Sequence, residues 1–414
     1  MQTVTAVFLF ALATSVLMQL WLARRHMTHI LAHRDCVPAA FAGRIALADH
    51  QKAADYTVAR THLNMVQVVT DALVLLVLTL GGGLDALDSF WRSAVAAELP
   101  RGALLIASVV LLLGLVELPF SLYRTFVIDA RFGFNRMTPA LFVADLFKGT
   151  LVMLVLGLPL AFLLLWLMRV TGDTWWLYAW GVWAAFNLLV LTLYPTVIAP
   201  LFNRFTPLPE GELKRRIEAL LARCGFTPRG LFVMDGSRRT SHGNAYFTGF
   251  GRAKRIVLYD TLLEKLAPEE VEAVLAHELG HFRRRHVTKR LAWLFTLSLA
   301  ALWLLARLME TEGFFMGLGV SQPSTYMGLT LFMLVAPVAG FLLHPLASLY
   351  SRRHEFEADA FAARHASAGA LVTALTKLYQ DNAATLTPDP LYSAFYDSHP
   401  PAALRIGRLE TAAH

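Results

Sequence analysis

The sequence predicts an α-helical membrane protein with seven transmembrane helices and a soluble α+β domain inserted between two of them. Of the 414 residues, 56% are hydrophobic and 16% are charged, whereas soluble domains carry about 45–50% apolar and about 25% charged residues. Seven apolar stretches approach the roughly 20 residues that a helix needs to cross a bilayer. This composition excludes a disordered chain, and two cysteines are too few for a disulfide-stabilised secreted module.

The seven predicted spans are separated by connections of very different length. They lie near residues 4–23, 63–80, 103–123, 149–168, 175–194, 291–308 and 326–344. We interpret the first as a retained anchor, because Arg24 and Arg25 follow the apolar run and no small-residue cleavage site does. The predicted organisation is a five-span membrane region (1–194), a soluble insertion (195–290), spans six and seven (291–348) and a C-terminal segment (349–414).

The distribution of Lys and Arg predicts how the chain crosses the membrane. All but four of the 37 Lys and Arg residues lie in connections on one side, and the four exceptions are Arg92, Arg101, Arg169 and Arg307. Because cytoplasmic loops carry the excess of positive residues, we expect the N-terminus outside and the insertion and C-terminus in the cytoplasm. This asymmetry explains the net charge of +7, and no zinc-finger, RNP-like or basic-tail pattern indicates nucleic acid.

Two predicted spans contain ionisable residues. Asp71 lies in the second span and Glu117 near the end of the third. Such groups at membrane depth usually face a bundle interior or a water-filled cavity. The sequence leaves three possibilities open for them: a solvated cavity, a position at the interface, or contacts with neighbouring helices.

The soluble insertion is predicted to contain both helices and strands. Apolar residues at helical spacing predict an amphipathic helix over 210–224. Strands are predicted over 231–234, 244–250 and 255–259, with Gly and Ser residues between them. Pro268, followed by two glutamates, marks the start of a further helix.

This last helix contains the motif HELGH over 277–281. On a helix, His277 and His281 project from one face, so that both imidazoles can reach a single Zn²⁺ ion. Glu278, beside the first histidine, can take a proton from the attacking water and return it to the leaving amine. A chain of this composition would contain the pattern by chance about 0.03 times, so the motif indicates a metalloprotease site.

A catalytic zinc needs three protein ligands and one open position. A metzincin would supply the third ligand just after the motif, but those positions are Arg284 and Val287. In the later segment HEFEADAFAARH, Glu355 is the expected ligand, and Asp359, on the same helix face, is expected to orient a ligand imidazole. Glu357 points to another face and is interpreted as a solvated charge. The rival ligands are His286, His354 and His365.

These motifs resemble the type I CAAX prenyl endopeptidases, integral-membrane zinc metalloproteases of the gluzincin type. The resemblance rests on HELGH and on EFEADAFA two spans later, and it extends to SHGNAYFTGFGRAKRIVLYDTLL, SHPPAALRI and YRTFVIDARFGFNRMT. It implies a seven-span bundle with a cytoplasmic α+β zincin-like metalloprotease domain. It also implies one Zn²⁺ per chain, held by His277, His281 and Glu355.

The resemblance implies further site residues. Asn244 and Ala245 match the substrate-binding edge strand, which would hold an extended peptide by β-augmentation. His399 and Arg405 match positions that line the active site. There a histidine can donate a hydrogen bond to the oxyanion, and an arginine can fix that region or a substrate carboxylate.

The expected activity is therefore cleavage of peptide bonds near the C-terminus of prenylated CAAX-type substrates at the cytoplasmic face of the membrane. A broad quality-control protease for membrane proteins, similar to HtpX, would use the same site. A transporter or receptor with a structural zinc is less consistent with the residues, because structural sites close all four positions and favour Cys. The expected partners are a peptide or protein substrate, prenylated or membrane-embedded, and the lipid bilayer, without nucleic acid.

Overall fold

A computed structural model describes residues 2–226, 230–248 and 255–412 of the chain. Within these ranges, seven helical segments are long and apolar enough to cross a membrane, in agreement with the sequence. They are Gln2–Ala32, Leu47–Leu78, Glu98–Asp129, Pro139–Val170, Gly172–Phe202, His286–Met309 and Thr325–His365. All are longer than the apolar stretches that predict them. The mostly helical fold with a smaller sheet-containing domain confirms the predicted fold class.

The helices and strands alternate only in the central part of the chain. The helices are α1 (Gln2–Ala32), α2 (Leu47–Leu78), α3 (Gly83–Ala94), α4 (Glu98–Tyr123), α5 (Pro139–Val170), α6 (Trp175–Leu193), α7 (Ala199–Phe202), α8 (Glu212–Arg223), α9 (Asp260–Leu263), α10 (Pro268–Arg283), α11 (His286–Met309), α12 (Glu312–Gly317), α13 (Thr325–Gly340), α14 (His344–His365), α15 (Ala368–Asp381), α16 (Pro390–Tyr396) and α17 (Ala402–Ala412). The strands are β1 (Phe205–Pro207), β2 (Leu231–Met234), β3 (Ala245–Thr248) and β4 (Arg255–Tyr259). Short π-helical segments, Arg124–Asp129 and Tyr194–Ile198, continue α4 and α6.

The long apolar helices pack side by side in a closed sequence of contacts. Helix α1 contacts α2, and α2 contacts the π-helical segment after α4; α4 contacts α5, α5 contacts α6, α6 contacts α11, α11 contacts α13, and α13 returns to α1. Helix α13 also contacts α4 and α5. Many large apolar side chains on these helices are exposed, as expected for surfaces that face lipid.

A polar cluster lies between α2 and the third span. The Gln67 side-chain amide donates to Glu117, and Arg124 Nη2 lies 3.7 Å from Glu117 Oε1. Arg124 Nη2 also donates to Gln67 Oε1 at 3.3 Å. Neighbouring residues thus pair with the Glu117 carboxylate, whereas Asp71, one turn along α2, is exposed.

Within the described ranges, the soluble domain is built on a four-stranded sheet with strand order β1-β2-β4-β3. Strand β1 pairs antiparallel with β2, β2 parallel with β4, and β3 antiparallel with β4. The sequence did not predict β1, because three residues ending in proline are too few for a periodic pattern. Strand β3 covers only part of the predicted strand over 244–250, and residues 249–250 lie outside the described residues, as do 251–254 of the motif before α10.

The core of this domain draws on distant parts of the chain. Fully buried Ile217 of α8, Ile256 of β4, Val271 of α10 and Ile406 of α17 belong to one apolar cluster. Phe41, in the connection between α1 and α2, is fully buried in the same cluster. The N-terminal membrane region therefore contributes to the core that supports α10 and α14.

Candidate active site

The start of α10 is fixed by its first turn. Pro268 occupies the first helical position, where no backbone N–H is required, and Glu270 Oε2 accepts a hydrogen bond from Ala267 N at 2.8 Å. The acidic side chains also favour the positive end of the helix. From this start the chain reaches HELGH in the last turns of α10, where His277, Leu279 and Gly280 are buried.

Helix α14 crosses α10 at Gly280. A Cβ atom at this position would lie 2.9 Å from Ala358 Cα and 3.0 Å from Phe361 Cβ. The first distance is shorter than real Cβ contacts and the second is at their tight limit, so a side chain at this position would push the two helices apart. As a result Glu355, one turn before Ala358, lies directly against the two histidines of the motif.

His277, His281 and Glu355 converge on one point. The two Nε2 atoms are 3.2 Å apart, His281 Nε2 is 3.2 Å from Glu355 Oε1, and His277 Nε2 is 3.4 Å from Glu355 Oε2. Metal–ligand bonds of about 2.0–2.1 Å in a tetrahedral site place neighbouring ligand atoms roughly 3.3 Å apart. The buried Glu355 Oε2 has no hydrogen-bond partner among the described residues. The donor set and its spacing therefore fit a divalent metal ion.

His277, the first histidine of the motif, is positioned through its Nδ1 atom by the buried ion pair of Asp359 and Arg405. His277 Nδ1 lies 2.8 Å from Asp359 Oδ1. Arg405 donates to both oxygens of Asp359, from Nε at 2.9 Å and from Nη2 at 2.6 Å. Burial lowers the pKa of His277, but the hydrogen bonds to Asp359 and Glu355 outweigh it and raise the pKa to about 9. A metal must therefore displace a proton from this site.

The second histidine has its own supporting chain. His281 Nδ1 lies 3.0 Å from His286 Nδ1, and His286 Nε2 lies 3.1 Å from Glu357 Oε2. His286 is fully buried, and His354 stacks on it with ring centroids 3.9 Å apart. The interpretation of Glu357 as a solvated charge is wrong, because its carboxylate pairs with a buried imidazole.

Sequence reasoning missed His286 as a supporting residue because a break in the helix decides its position. Helix α10 ends at Arg283, and Arg285 adopts a left-handed conformation with φ 56°. This turn brings His286, the first residue of α11, back against His281.

The third rival ligand, His365, lies elsewhere: its Nδ1 contacts Phe361 O at 2.9 Å, one turn back along α14.

Two further polar side chains flank the cluster. Glu278 is partly buried; burial raises its pKa, and the nearby histidines offset part of this effect. His399 is exposed, and its Nε2 lies 3.5 Å from Glu355 Oε2. Ser398 Oγ is 3.0 Å from His399 Nδ1. One acid–base group and one exposed imidazole thus lie near the cluster.

Strand β3 lies at the edge of the sheet beside α10. Within the described residues it pairs only with β4, and it packs against α10. Asn244, just before the strand, is exposed; its backbone oxygen accepts from Tyr259 N at 3.0 Å, and its side-chain oxygen accepts from Ala245 N at 2.8 Å. Ala245 is buried. Among the described residues, the other backbone edge of β3 has no strand partner, and this strand packs against the helix that carries HELGH.

In the part of the chain that the structure describes, seven membrane-length helices and an HExxH helix with a glutamate from a second helix define an integral-membrane metallopeptidase. Comparison with known protein families supports the same class of protein. Residues 26–204 match the model for the CAAX prenyl protease N-terminal domain of five membrane helices, and residues 207–413 match that for peptidase family M48. The chain belongs to the M48 family of metallopeptidases, in its membrane-integrated CAAX prenyl protease branch.

Relatives share most of the chain. The CAAX prenyl protease 1 homolog of Arabidopsis thaliana is 36% identical over 90% of this chain and 90% of that protein. The CAAX prenyl protease 1 homolog of rice is 41% identical over 74% of this chain and 72% of that protein. The crystal structure of S. mikatae Ste24p superposes with a TM-score of 0.89 at 29% identity, covering 98% of both chains.

Proposed function

We propose that this metalloprotease cleaves peptide bonds near the C-terminus of prenylated CAAX-type proteins and that its metal is Zn²⁺. The convergence of His277, His281 and Glu355 carries the proposal. Two imidazoles and one carboxylate are the ligand set of many catalytic zinc sites. The substrate class is supported by relatives named CAAX prenyl protease 1, which are similar over up to nine-tenths of the chain.

The roles of the residues follow from where they lie. When bound, Zn²⁺ supplies Lewis-acid polarisation of the scissile carbonyl and lowers the pKa of water. Glu278 accepts the proton of the attacking water and returns it to the leaving amine, a task to which its raised pKa is suited. His399, on the exposed side of the cluster, donates from Nε2 to the oxyanion that develops on the scissile carbonyl.

Asp359 and Arg405 act as positioning residues. The short contact between Asp359 and His277 fixes the tautomer that leaves Nε2 free for the metal. Arg405 is buried against Asp359, so it neutralises that carboxylate in place of contacting substrate. Asn244 and Ala245 begin the edge strand, where the substrate backbone would add as a further strand.

The proposed topology puts this chemistry at the cytoplasmic surface. The excess of Lys and Arg in the connections next to the soluble domain supports a cytoplasmic site and C-terminus and an outside N-terminus. The division into membrane region, insertion, spans six and seven and C-terminal segment is supported by two separate large apolar clusters. A membrane-anchored peptide would thus meet the metal at the bilayer edge.

The test uses two otherwise identical CAAX peptides, one of which is farnesylated. Each is incubated with the purified protein and with Glu278→Gln, and the products are identified by mass spectrometry. We expect cleavage of the farnesylated peptide alone, and none by the variant, which should still bind one Zn²⁺ per chain. Equal cleavage of both peptides would instead favour a quality-control protease, and cleavage by the variant would remove Glu278 from the mechanism.

A further inference from the structure

One face of α14 carries four polar side chains, of which the mechanism uses two. They follow one another at steps of four, three and four residues and are Ser348, Arg352, Glu355 and Asp359. Residues at these steps lie on one face of a helix. Glu355 contacts both histidines of the motif, and Asp359 contacts His277. The two residues that precede the ligand have no role in the site described so far.

These two residues bind the backbone at the end of α16. Arg352 Nε donates to Asp397 O at 3.1 Å, and Arg352 Nη2 donates to Ser393 O. Ser348 Oγ donates to Phe395 O at 3.1 Å. The last carbonyl groups of a helix lack partners within the helix, and the planar fork of a guanidinium can bind two acceptors at once. Arg352 therefore fixes the end of α16 to α14.

His399 follows this helix end by two residues. Its side chain is 59% exposed, so packing restrains it little. Pro400 and Pro401 come next, and their rings fix φ in the backbone that leads to α17. Arg405, on α17, then returns to α14 through its hydrogen bonds to Asp359. The segment that carries His399 is thus attached to α14 at both ends.

The two attachments lie on either side of the metal ligand. Arg352 precedes Glu355 by three residues and Asp359 follows it by four, so at 1.5 Å per residue the attachments are about 10 Å apart along α14. The segment between them runs beside Glu355, where His399 Nε2 lies 3.5 Å from Glu355 Oε2. The helix that supplies the carboxylate ligand therefore also determines where the imidazole lies.

We propose that Arg352 is a positioning residue that holds His399 at the oxyanion site. The inference rests on the proposed function, because it concerns the imidazole that would donate to the oxyanion. Such a donor must lie about 2.7–3.1 Å from the position of the oxyanion, and a displacement of about 1 Å can cost about 100-fold in rate. Loss of the bonds to Ser393 O and Asp397 O would release the backbone two residues before His399.

The decisive experiment is a double-mutant cycle between Arg352→Gln and His399→Ala, measured on the farnesylated CAAX peptide. Each single variant should lose kcat with KM unchanged, because the interaction is made only in the transition state. We expect a loss of about 10–100-fold for Arg352→Gln and of about 100–1,000-fold for His399→Ala. In the His399→Ala background, Arg352→Gln should change kcat by less than about twofold, since no imidazole remains to be positioned.

Two further variants distinguish positioning from general damage. Arg353→Gln removes the neighbouring arginine, whose side chain is 80% exposed, and should keep the wild-type kcat. Arg352→Lys keeps the charge, but one ammonium group lacks the fork that binds both carbonyls, so its kcat should lie between those of the wild type and Arg352→Gln. Zinc affinity should be unchanged in Arg352→Gln, because the three metal ligands keep their own contacts.

Hydrogen exchange gives a readout that does not depend on activity. Asp397 N donates to Ser393 O at 3.0 Å, so its amide proton reports whether the last turn of α16 is closed. In the full-length, zinc-loaded protein, amides of residues 393–399 should exchange about tenfold faster in Arg352→Gln than in the wild type or Arg353→Gln. Amides of α10 should keep their wild-type rates.

The outcomes separate this inference from the proposed function. If the wild-type protein cleaves no CAAX peptide, the proposed function fails, and hydrogen exchange alone decides whether Arg352 anchors the segment. If His399→Ala keeps the wild-type kcat, the proposed role of His399 fails and the inference fails with it. If His399→Ala loses kcat but Arg352→Gln keeps it, or if the two losses multiply in the double variant, only the inference is overturned. Unchanged exchange at residues 393–399 in Arg352→Gln would overturn it as well.

Discussion

The close approach of α10 and α14 at Gly280 is the contact on which the metal site depends most directly. In Gly280→Ala the new Cβ would lie 2.9 Å from Ala358 Cα, 3.0 Å from Phe361 Cβ and 3.1 Å from Ala358 O. Two of these atoms are backbone, so the helices must separate by several tenths of an ångström. Overpacking of this kind costs about 1–3 kcal/mol, although alanine in an open helix is about 1 kcal/mol better than glycine.

The same displacement moves Glu355 away from the two histidines. We expect Gly280→Ala to bind Zn²⁺ more weakly and to lose kcat/KM, measured by zinc titration and by peptide cleavage, and to unfold at a lower temperature. The matched control is Gly407→Ala on α17, where an added Cβ meets nothing within 4 Å and the helix should be slightly stabilised. Wild-type stability together with wild-type zinc affinity in Gly280→Ala would refute the argument.

Three further predictions concern the support of the metal ligands. Arg405→Ala leaves Asp359 buried without its cation and should cost about 3–5 kcal/mol of stability; a thermal unfolding curve like that of the wild type would show that the pair is dispensable. Glu357→Gln should weaken zinc affinity up to about tenfold through His286, with Arg353→Gln, at an exposed partner of Glu357, as an unaffected control in the same titration. Removing the metal with a chelator should lower the unfolding temperature, because a ligand present at about a thousand times its Kd stabilises by about 4 kcal/mol; an unchanged temperature would show that the site contributes nothing to stability.

The second of these predictions depends on a contact that only the fold reveals. Sequence spacing puts Glu357 on a different face of α14 from Glu355, and the structure has it there. Spacing along the chain does not reveal that the buried imidazole of His286 lies against that face. The left-handed turn at Arg285 returns His286 to His281, so the carboxylate has an imidazole partner 3.1 Å away. A local pattern cannot report a partner that is 71 residues distant in the chain.

Hydropathy was sufficient for the membrane architecture, and motif chemistry pointed to His277, His281 and Glu355, which the structure brings together. A membrane helix satisfies its own backbone hydrogen bonds, so its apolar stretch is readable without knowledge of its neighbours. The HELGH motif can also be recognised without knowledge of its neighbours, since one helical turn places His277 and His281 on one face. The seven spans and the helix starting at Pro268 were therefore predictable, whereas the residues at which the spans begin and end were not.

Tertiary structure decided how distant residues meet and what they do there. Glu355 reaches the histidines only because Gly280 lets α14 approach α10, and Arg405 is a buried partner of Asp359 because α17 packs onto α14 and α15. The sequence thus determined which groups are present and which local elements carry them. Packing of distant segments determined their contacts, because those distances depend on side-chain volumes from several elements at once.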